Sequence, residues 1–218
     1  MNTHYYLGWF NDFFPERLSE VLREDITDRK SLILISSNPL DDEVDGAAER
    51  SWLAHAGILF DDHHLINYGI QKEDAHNLIQ NASVIFLLGG DTIKQNEFLR
   101  AYELSDWIKK SSAVVIGASA GAINMSAKWL CSKEFGYQVE RNSFYDGIGL
   151  GNFSILSHFD LENNMALVQS ELSSLSEEMK IYASNKDCAL RIKEDEIDIL
   201  GNVYVISQLE IQKLEETF

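Results

Sequence analysis

An apolar, β-branched run at residues 113–116 leads directly into the pattern Gly-x-Ser-x-Gly, and a helix-compatible segment follows at residues 122–127. The glycines on both sides of Ser119 allow a strand to turn sharply into a helix, which lifts the serine out of the sheet. The pattern therefore predicts a serine hydroxyl that a substrate can reach. It also places the amide of Ala120 at a helix N-terminus, where a backbone N–H can stabilise an oxyanion.

Short β-rich runs alternate with longer amphipathic segments along the chain. The sequence predicts strands at residues 5–9, 31–36, 83–88 and 113–116 and helices at residues 15–28, 42–56, 72–79 and 92–110. Several of the strands are apolar throughout, which is typical of a sheet covered on both faces. The alternation predicts an α/β fold built on a parallel sheet, with Ser119 at the carboxyl end of a central strand, where such sheets bind ligands.

The end of the chain follows a different pattern. Three short β-rich runs at residues 188–193, 196–200 and 203–206 are separated by a Glu-Asp pair and a Gly-Asn pair. Strands joined by such short turns pair as antiparallel neighbours. We therefore expect a terminal antiparallel meander.

The composition limits the class of protein. A chain of 218 residues buries a substantial core, and we expect one domain over residues 1–218. Its 35 acidic and 18 basic side chains give a formal net charge of −17, and such a surface repels phosphate groups and anionic lipid. We therefore expect no nucleic-acid partner and no membrane partner.

The sequence also favours a cytoplasmic protein. Its two cysteines, Cys131 and Cys188, lack metal-type spacing and suit a reducing compartment. The first residues lack the basic segment and long apolar run of a signal peptide. No run of about 18 apolar residues is present that could span a bilayer. Cytoplasmic location is therefore the expectation.

A serine nucleophile needs a general base within hydrogen-bond reach, and the chain has six histidines. His158 ends a segment at residues 152–158 that is typical of a buried strand emerging into a loop on the side of the serine turn. We therefore take His158 as the candidate base. The other five are interpreted as satisfied polar groups in a strand, two helices and a loop-like segment: His4, His55, His76, His63 and His64.

A second candidate element lies upstream of the serine. The buried strand at residues 83–88 runs into Gly89 and Gly90, and Asp91 or Thr92 then caps a helix. A Gly-Gly pair alone indicates only a tight turn. Beside a nucleophile turn, however, the amide of Gly90 is the natural second donor of an oxyanion hole.

Three motifs, at residues 88–92, 117–122 and 157–159, together resemble those of the serine peptidases of the dipeptidase E and cyanophycinase type. Their order and spacing match, and the similar layout extends from the first strand to the terminal meander. The resemblance implies a three-layer α/β/α sandwich of the class I glutamine amidotransferase-like (flavodoxin-like) kind, with serine replacing the cysteine nucleophile. It also implies hydrolysis of short peptides bearing acidic residues, without a metal or cofactor. We expect a small peptide as substrate and a monomer or homodimer as the assembly.

The resemblance also implies roles for individual residues. Ser119 is the nucleophile, His158 is the base, and the amides of Gly90 and Ala120 are the oxyanion donors. The family has an acidic residue about fifteen positions beyond the nucleophile, which corresponds to Glu134 and would orient the imidazole. Three other carboxylates remain alternatives for this third role: Asp160, Glu140 and Asp146.

The sequence departs from the family pattern where an acidic substrate would be recognised. The family has a basic side chain roughly fourteen residues after the histidine, where this chain has Leu172, and no Lys or Arg occurs over residues 159–179. A substrate carboxylate buried without a cation loses its pairing energy, although three basic residues near the serine turn could substitute: Lys128, Lys133 and Arg141. We therefore expect the catalytic residues without strict aspartyl specificity. The acidic residues over 159–179 could instead favour a free amino group or a basic side chain.

Three other classes of function remain open. An α/β-hydrolase esterase shares the nucleophile turn and the Ser–acid–His chain order, but only 39 positions separate Ser119 from His158. A non-catalytic amidotransferase-like binding module would be expected to lack the base or an oxyanion glycine. A metal enzyme could use the run Asp61, Asp62, His63 and His64, but adjacent histidines on a strand point to opposite faces.

Overall fold

The computed structural model describes residues 3–194 and 196–218. The strands are β1 (His4–Leu7), β2 (Ser31–Ile35), β3 (Asp62–Ile66), β4 (Val84–Leu87), β5 (Val114–Ala118), β6 (Lys128–Cys131), β7 (Ser143–Asp146), β8 (Ser154–Leu156), β9 (Ile181–Ser184), β10 (Ala189–Lys193), β11 (Glu196–Leu200), β12 (Val203–Ser207) and β13 (Glu210–Lys213). The helices are α1 (Glu16–Asp25), α2 (Ala47–His55), α3 (Lys72–Gln80), α4 (Thr92–Ala101), α5 (Leu104–Lys110), α6 (Ala120–Met125), α7 (Leu161–Ser170) and α8 (Ser173–Glu178), and a short 3₁₀ segment covers Lys133–Phe135. Within the described residues, no helix has both the length and the apolar character needed to cross a membrane.

Five parallel strands form the middle of a seven-stranded central sheet. Its order is β11-β10-β1-β5-β4-β2-β3. Strands β1, β5, β4, β2 and β3 run parallel, whereas β10 and β11 are antiparallel to their neighbours. Parallel neighbours need crossover connections, and the helices supply them. The predicted α/β alternation around a mostly parallel sheet is therefore confirmed.

Residues on the central strands alternate between two buried faces. On β2, Leu32 and Leu34 belong to a core cluster that includes residues of α1 and α2. Ile33 and Ile35 belong to a second cluster, which includes residues of α3, α4, α5 and α6. A strand buried on both faces needs apolar side chains at every position, which explains the continuous apolar runs in the sequence. The fold is the expected three-layer α/β/α sandwich.

A second sheet of four strands has the order β13-β12-β9-β8. Strands β8 and β9 run parallel, whereas β12 is antiparallel to both β9 and β13. The ring of Phe153, just before β8, packs edge-on against Tyr6 of β1 and against Tyr182 of β9, with 5.1 Å between ring centroids in each pair. A third core cluster joins this sheet to α7 and α8. The second sheet is therefore anchored to the central sheet by aromatic contacts.

The predicted terminal meander is wrong for its last strand. Strands β10 and β11 form the expected antiparallel pair, but β12 leaves the central sheet and pairs between β9 and β13. The outer edge of β11 is occupied by the end of the chain, where the Thr217 amide donates to the Ile199 carbonyl at 2.9 Å. Strand β12 in turn buries Val203 and Ile206. These contacts favour the pairing of β12 with β9 over the pairing with β11 that the short turn at residues 201–202 predicts.

Other elements also differ from the sequence prediction. Residues 62–64, predicted as loop-like, belong to β3. This edge strand begins with polar, mostly exposed side chains, so its sequence lacks the apolar run that identifies a buried strand. The helix predicted over residues 92–110 is divided into α4 and α5, because Glu103 adopts a left-handed conformation with a φ of 53°. Helices α1 and α2 are both shorter than predicted.

The turn from β5 into α6 depends on close backbone packing. A Cβ atom added at Gly117 would lie 2.6 Å from the carbonyl carbon of Gly121. One added at Gly121 would lie 2.1 Å from the carbonyl oxygen of Leu87 in β4. Both distances are far below van der Waals contact, so only glycine fits at these two positions. The close packing of β5, α6 and β4 thus explains why both of these positions of the motif are glycine.

We expect Gly121→Ala to destabilise the protein by about 3 kcal/mol, because the added methyl group would push α6 away from the Leu87 backbone. Urea denaturation followed by circular dichroism measures the change. Gly69→Ala is the control, because Gly69 is exposed and the nearest atom to its added Cβ is the Asn67 Oδ1 atom at 3.0 Å. This side-chain oxygen, which accepts from the Gly69 amide at 2.8 Å, needs to shift by only a few tenths of an ångström. We expect its effect to stay within about 0.5 kcal/mol. Equal stability of the two variants would contradict the steric interpretation.

Candidate active site

Ser119 lies between β5 and α6 in a backbone conformation that residues other than glycine rarely adopt. Its φ is 47° and its ψ is −105°. The Ser119 amide donates to the Leu7 carbonyl of β1 at 2.9 Å, and the Ser119 carbonyl accepts from the Ile123 amide of α6 at 3.0 Å. Strain of this kind persists where the surrounding structure fixes it, and it concentrates at functional sites. The backbone of Ser119 is therefore held in place from both sides.

His158 stands beside Ser119, on the segment that follows β8. The Nε2 atom of His158 lies 3.0 Å from the Oγ atom of Ser119. His158 has a positive φ of 62°, and the residue after it is anchored because the Phe159 amide donates to the Ser184 carbonyl at 2.9 Å. The structure thus brings together the serine and the histidine that the sequence singled out, although they follow strands of different sheets.

The surroundings of His158 favour its neutral form. Burial of the ring and, secondarily, the positive charge of Lys186 lower the pKa of His158 below its ordinary value of 6.5. At neutral pH the imidazole is therefore uncharged and can accept a proton from the Ser119 hydroxyl. This is the protonation state that a general base requires.

The Gly89–Gly90 turn after β4 reaches the same site and is fixed by two buried side chains. The Glu49 carboxylate of α2 accepts from the Gly89 amide at 3.1 Å. The Ser37 hydroxyl, just after β2, donates to the Gly89 carbonyl at 2.6 Å. The Gly89 carbonyl and the Gly90 N–H belong to one planar peptide group, so the Ser37 contact sets the direction of that N–H. Gly90 has a φ of 136°, which a larger residue would not adopt without strain.

Sequence reasoning missed Ser37 and Glu49. A serine directly after a buried parallel strand was an available signal for Ser37, because neighbouring parallel strands end at the same edge of a sheet. Glu49 gives no comparable signal, since a glutamate in an amphipathic helix is ordinarily solvated. Here it is buried, and this burial raises the pKa of its carboxyl group.

A pocket of about 660 Å³ has Ser119 and His158 in its wall. Other parts of the wall are apolar residues of β6 and of the third core cluster. The acidic, basic and imidazole side chains that line the pocket, among the described residues, are Asp91, Lys94 and His158. The Lys94 Nζ atom lies 3.6 Å from an Asp91 carboxylate oxygen. A pocket of this size accommodates a small molecule or a short peptide segment.

Glu134 is not in contact with His158. It lies in the 3₁₀ segment, where its amide donates to the Ser132 Oγ at 3.2 Å and its carboxylate lies 3.8 Å from the Lys133 Nζ. Across residues 3–194 and 196–218, no hydrogen bond joins a carboxylate to the His158 ring. The structure therefore assembles the serine and the histidine, but it does not bring the predicted acid to them.

Among the described residues, the three alternative carboxylates for the third triad role do not contact His158 either. Asp160 caps α7, because its carboxylate accepts from the Glu162 and Asn163 amides at 3.0 and 3.2 Å. Asp146 ends β7, and Glu140 lies in the loop before that strand. Both of these side chains are exposed. None of the three contacts the imidazole of His158 in the described structure.

Leu172 lines the pocket and is fully buried, with 1% of its surface exposed. The pocket wall, as far as it is described, contains Lys94 but none of the three basic residues that could substitute for a cation here: Lys128, Lys133 and Arg141. Lys128 instead pairs with Glu178 at 2.7 Å. The pocket therefore has little positive charge to offer an acidic side chain.

The ligand-type residues around β3 interact with one another and with α2. The His64 Nε2 atom lies 2.8 Å from an Asp62 carboxylate oxygen, and the His63 Nε2 atom lies 3.1 Å from a guanidinium nitrogen of Arg50. In the part of the chain that the structure describes, no group of three or more His, Cys, Asp or Glu side chains could hold a metal ion. The pocket at Ser119 is the candidate functional site because its wall contains the contacting pair of Ser119 and His158.

Comparisons with known proteins bear on this site. A model of Peptidase family S51 matches residues 41–200. A cyanophycinase from Geminocystis herdmanii (strain PCC 6308) is 25% identical over 138 residues, which are 60% of this chain and 51% of that protein. The chain thus spans about half the length of this curated relative.

Two solved structures are similar in fold over nearly the whole chain. A peptidase from an acI-B1 Actinobacterium superposes with a TM-score of 0.69 at 19% identity, over 99% of this chain and 95% of that one. A candidate peptidase E from Listeria monocytogenes EGD-e superposes with a TM-score of 0.67 at 18% identity, over 92% of this chain and 98% of that one. At these identities the likeness shows the shared fold.

A parallel α/β sandwich with a serine turned out of its central strand beside a histidine is the arrangement that serine hydrolases use. The chain belongs to Peptidase family S51, because the family model matches more than half of it. Membership of this family favours the peptidase interpretation over both the esterase and the non-catalytic binding module.

We expect His158 to titrate below pH 6.5 when its ring protons are followed by NMR in the folded protein. Lys186→Gln should raise the pKa of His158, because it removes one of the two causes of the shift. Lys213→Gln is the matched control, since it removes the same charge from β13, at the opposite edge of the second sheet from β8. A pKa that moves equally in both variants, or in neither, would show that Lys186 has no specific effect.

Proposed function

We propose that the protein hydrolyses dipeptides and other short peptides through an acyl-enzyme formed on Ser119. The observation that carries this proposal is the 3.0 Å distance between Ser119 Oγ and His158 Nε2 in the wall of a pocket of about 660 Å³. Ser119 attacks the substrate carbonyl while His158 accepts the hydroxyl proton and passes it to the leaving amine. Water, activated by His158, then hydrolyses the ester and restores the serine.

The amides of Gly90 and Ala120 are the proposed donors to the oxyanion. Ala120 opens α6 directly after the nucleophile, and Gly90 lines the same pocket. Ser37 and Glu49 hold Gly89 by hydrogen bonds of 2.6 and 3.1 Å, so the adjoining Gly90 N–H is oriented before substrate arrives. Donors fixed in advance need no rearrangement as negative charge develops on the carbonyl oxygen.

Glu134 is the proposed third member of the catalytic triad. Its carboxylate is exposed and pairs at 3.8 Å with Lys133, and a surface ion pair of this kind contributes little stability. The side chain is therefore free to turn toward the imidazole, and the adjoining Phe135 already lines the pocket. A carboxylate beside His158 would orient the ring and stabilise the imidazolium formed during catalysis.

The proposed substrates are not restricted to aspartyl peptides. Leu172 occupies the position where the family resemblance would place a cation, and Lys94 is already 3.6 Å from Asp91. An acidic substrate side chain would lose its hydration in this pocket without gaining a free cationic partner. We therefore infer that neutral peptides are hydrolysed at least as fast as aspartyl peptides.

The cytoplasm is the compartment that we propose for this activity. Cys131 and Cys188 are both free and buried. Unpaired cysteines agree with a reducing compartment. The substrates would then be small peptides present in the cytoplasm.

We expect wild-type protein to hydrolyse a panel of dipeptides and Ser119→Ala to lose at least about 10³-fold in kcat/KM. The panel contains Asp-Leu, β-aspartyl-Leu, Ala-Leu and Gly-Leu, and liquid chromatography measures the released amino acids. The control is Ser112→Ala, which removes the hydroxyl of an exposed serine near the start of β5 and should leave kcat/KM unchanged.

Two results of this experiment would count against the proposal in different ways. Equal activity of Ser119→Ala and wild type would contradict the acyl-enzyme mechanism. A preference of more than about tenfold for Asp-Leu over Ala-Leu would contradict only the inferred lack of aspartyl specificity.

Glu134→Gln should lower kcat at least about tenfold with little change in KM, because the imidazole loses its orienting carboxylate while the pocket keeps its shape. Asp160→Asn is the matched control, since it makes the same chemical change two residues past His158, and asparagine remains a good helix cap. We expect it to change kcat by less than about twofold. Steady-state kinetics of both variants measure the effects. A larger loss in Asp160→Asn would move the role of the third triad member to Asp160.

A further inference from the structure

We propose that the free edge of β8 binds the backbone of an extended substrate peptide, which adds to the second sheet as one more strand. The proposal rests on the peptidase function proposed above and specifies how the substrate is held. It concerns the backbone groups of Ile155, which lies in the pocket wall three residues before His158. Pairing of a peptide with a sheet edge is a general mode of peptide recognition, because the main-chain hydrogen bonds supply affinity.

The register of β8 shows which of its backbone groups are free. Strand β8 is parallel to β9, with Ser154 opposite Ile181 and Ile155 opposite Tyr182. The Ser154 amide donates to the Lys180 carbonyl at 2.9 Å. Along a strand the N–H and C=O groups of alternate residues point to opposite edges. Ser154 therefore bonds to β9, and Ile155 directs its N–H and C=O away from β9.

The other side of β8 is covered at its start and opens toward its end. The Ala127 amide donates to the Phe153 carbonyl at 2.9 Å, so the outer edge is already paired at the residue just before β8. After Ala127 the chain continues as β6, which pairs with β7 rather than with β8. Trp129 and Leu130 of β6 line the same pocket as residues 154–158. The two strands thus diverge after Ala127, and the pocket fills the space between them.

Ile155 is left with an unpaired N–H and C=O on this open side. Strand β8 pairs only with β9 among the described residues, and no other described backbone group bonds to Ile155. Buried or half-buried backbone groups are nearly always paired in native proteins. An extended peptide in the pocket would supply one C=O and one N–H to this residue. The catalytic residues at the end of the same segment would then meet a peptide whose direction is already fixed.

The position of Ile155 sets a minimum length for the substrate. Strand β8 ends at Leu156, so Ile155 is separated from His158 by one strand residue and the turn residue Ser157. The intervening chain spans at most about 10 Å, and a peptide must extend beyond the two residues that flank the cleaved bond to pair with Ile155. A dipeptide has no residue beyond those two. We therefore expect tripeptides and tetrapeptides to be better substrates than dipeptides.

The first test compares Ala₂, Ala₃ and Ala₄, with products identified by mass spectrometry. We expect kcat/KM to rise roughly tenfold from Ala₂ to Ala₄, which is the effect of about two additional hydrogen bonds. N-methylation of each non-scissile amide of Ala₄ then tests the strand geometry. Where the N–H faces Ile155, the methyl group removes one hydrogen bond and also keeps the peptide away from the strand edge, so it should lower kcat/KM by roughly tenfold. It should have little effect at the next amide, whose N–H points away.

Protein variants supply an independent test. Ile155→Pro removes the N–H at this position, and proline is tolerated where a strand edge is unpaired. Ile155→Val is its matched control, because it keeps the N–H and a β-branched side chain. Because Ile155→Pro keeps the C=O and loses one of the two hydrogen bonds, we expect its Ala₄ to Ala₂ ratio of kcat/KM to fall from roughly tenfold to about threefold. The ratio should stay at the wild-type value in Ile155→Val. Circular dichroism verifies that both variants fold.

The outcomes separate this inference from the proposed function. Absence of Ser119-dependent hydrolysis of every peptide would overturn the proposed function itself. Hydrolysis of Ala₂ and Ala₄ with equal kcat/KM, or an N-methyl scan without alternation, would overturn the β8 proposal and leave the peptidase mechanism intact. If Ile155→Pro is unfolded, the length series and the N-methyl scan of the wild-type protein decide the question.

Discussion

The contact between Gly121 and the Leu87 backbone is the constraint on which the site depends. A Cβ at Gly121 would lie 2.1 Å from the Leu87 carbonyl oxygen, so α6 rests directly on the end of β4. This close approach allows the chain to leave β5 through the strained conformation of Ser119, with φ of 47°. The serine is therefore exposed to the pocket because two neighbouring elements touch through their backbones.

Three loops at the carboxyl ends of adjacent strands build one side of the site. Ser37 follows β2, the Gly89–Gly90 turn follows β4, and Ser119 follows β5, and these strands are neighbours in the order β5-β4-β2. Parallel strands place their carboxyl ends together, so residues far apart in sequence meet there. The hydrogen bond from Ser37 to the Gly89 carbonyl, at 2.6 Å, is one product of this arrangement. His158 reaches the site from the second sheet.

The sequence predicted the features that depend on local pattern. Continuous apolar runs identified the parallel strands, and the glycine spacing around Ser119 identified the turn. Strand β3 was missed because an edge strand carries exposed polar residues, and β12 was misplaced because its partner β9 is set by tertiary packing. Ser37 and Glu49 were not predicted for the same reason. Their role comes from hydrogen bonds to Gly89, which is 52 residues from Ser37 and 40 residues from Glu49 in the chain.

Ser119 and His158 follow strands of two different sheets, which are packed against each other through Phe153, Tyr6 and Tyr182. The 3.0 Å distance between nucleophile and base is consequently a property of an interface rather than of one rigid element. A displacement of about 1 Å between the sheets would break the hydrogen bond. The core cluster that contains Tyr6, Phe153 and Tyr182 spans both sheets and opposes such a displacement. The aromatic ring of Phe153, which lies between Tyr6 and Tyr182, therefore acts as the spacer that keeps the two halves of the active site in register.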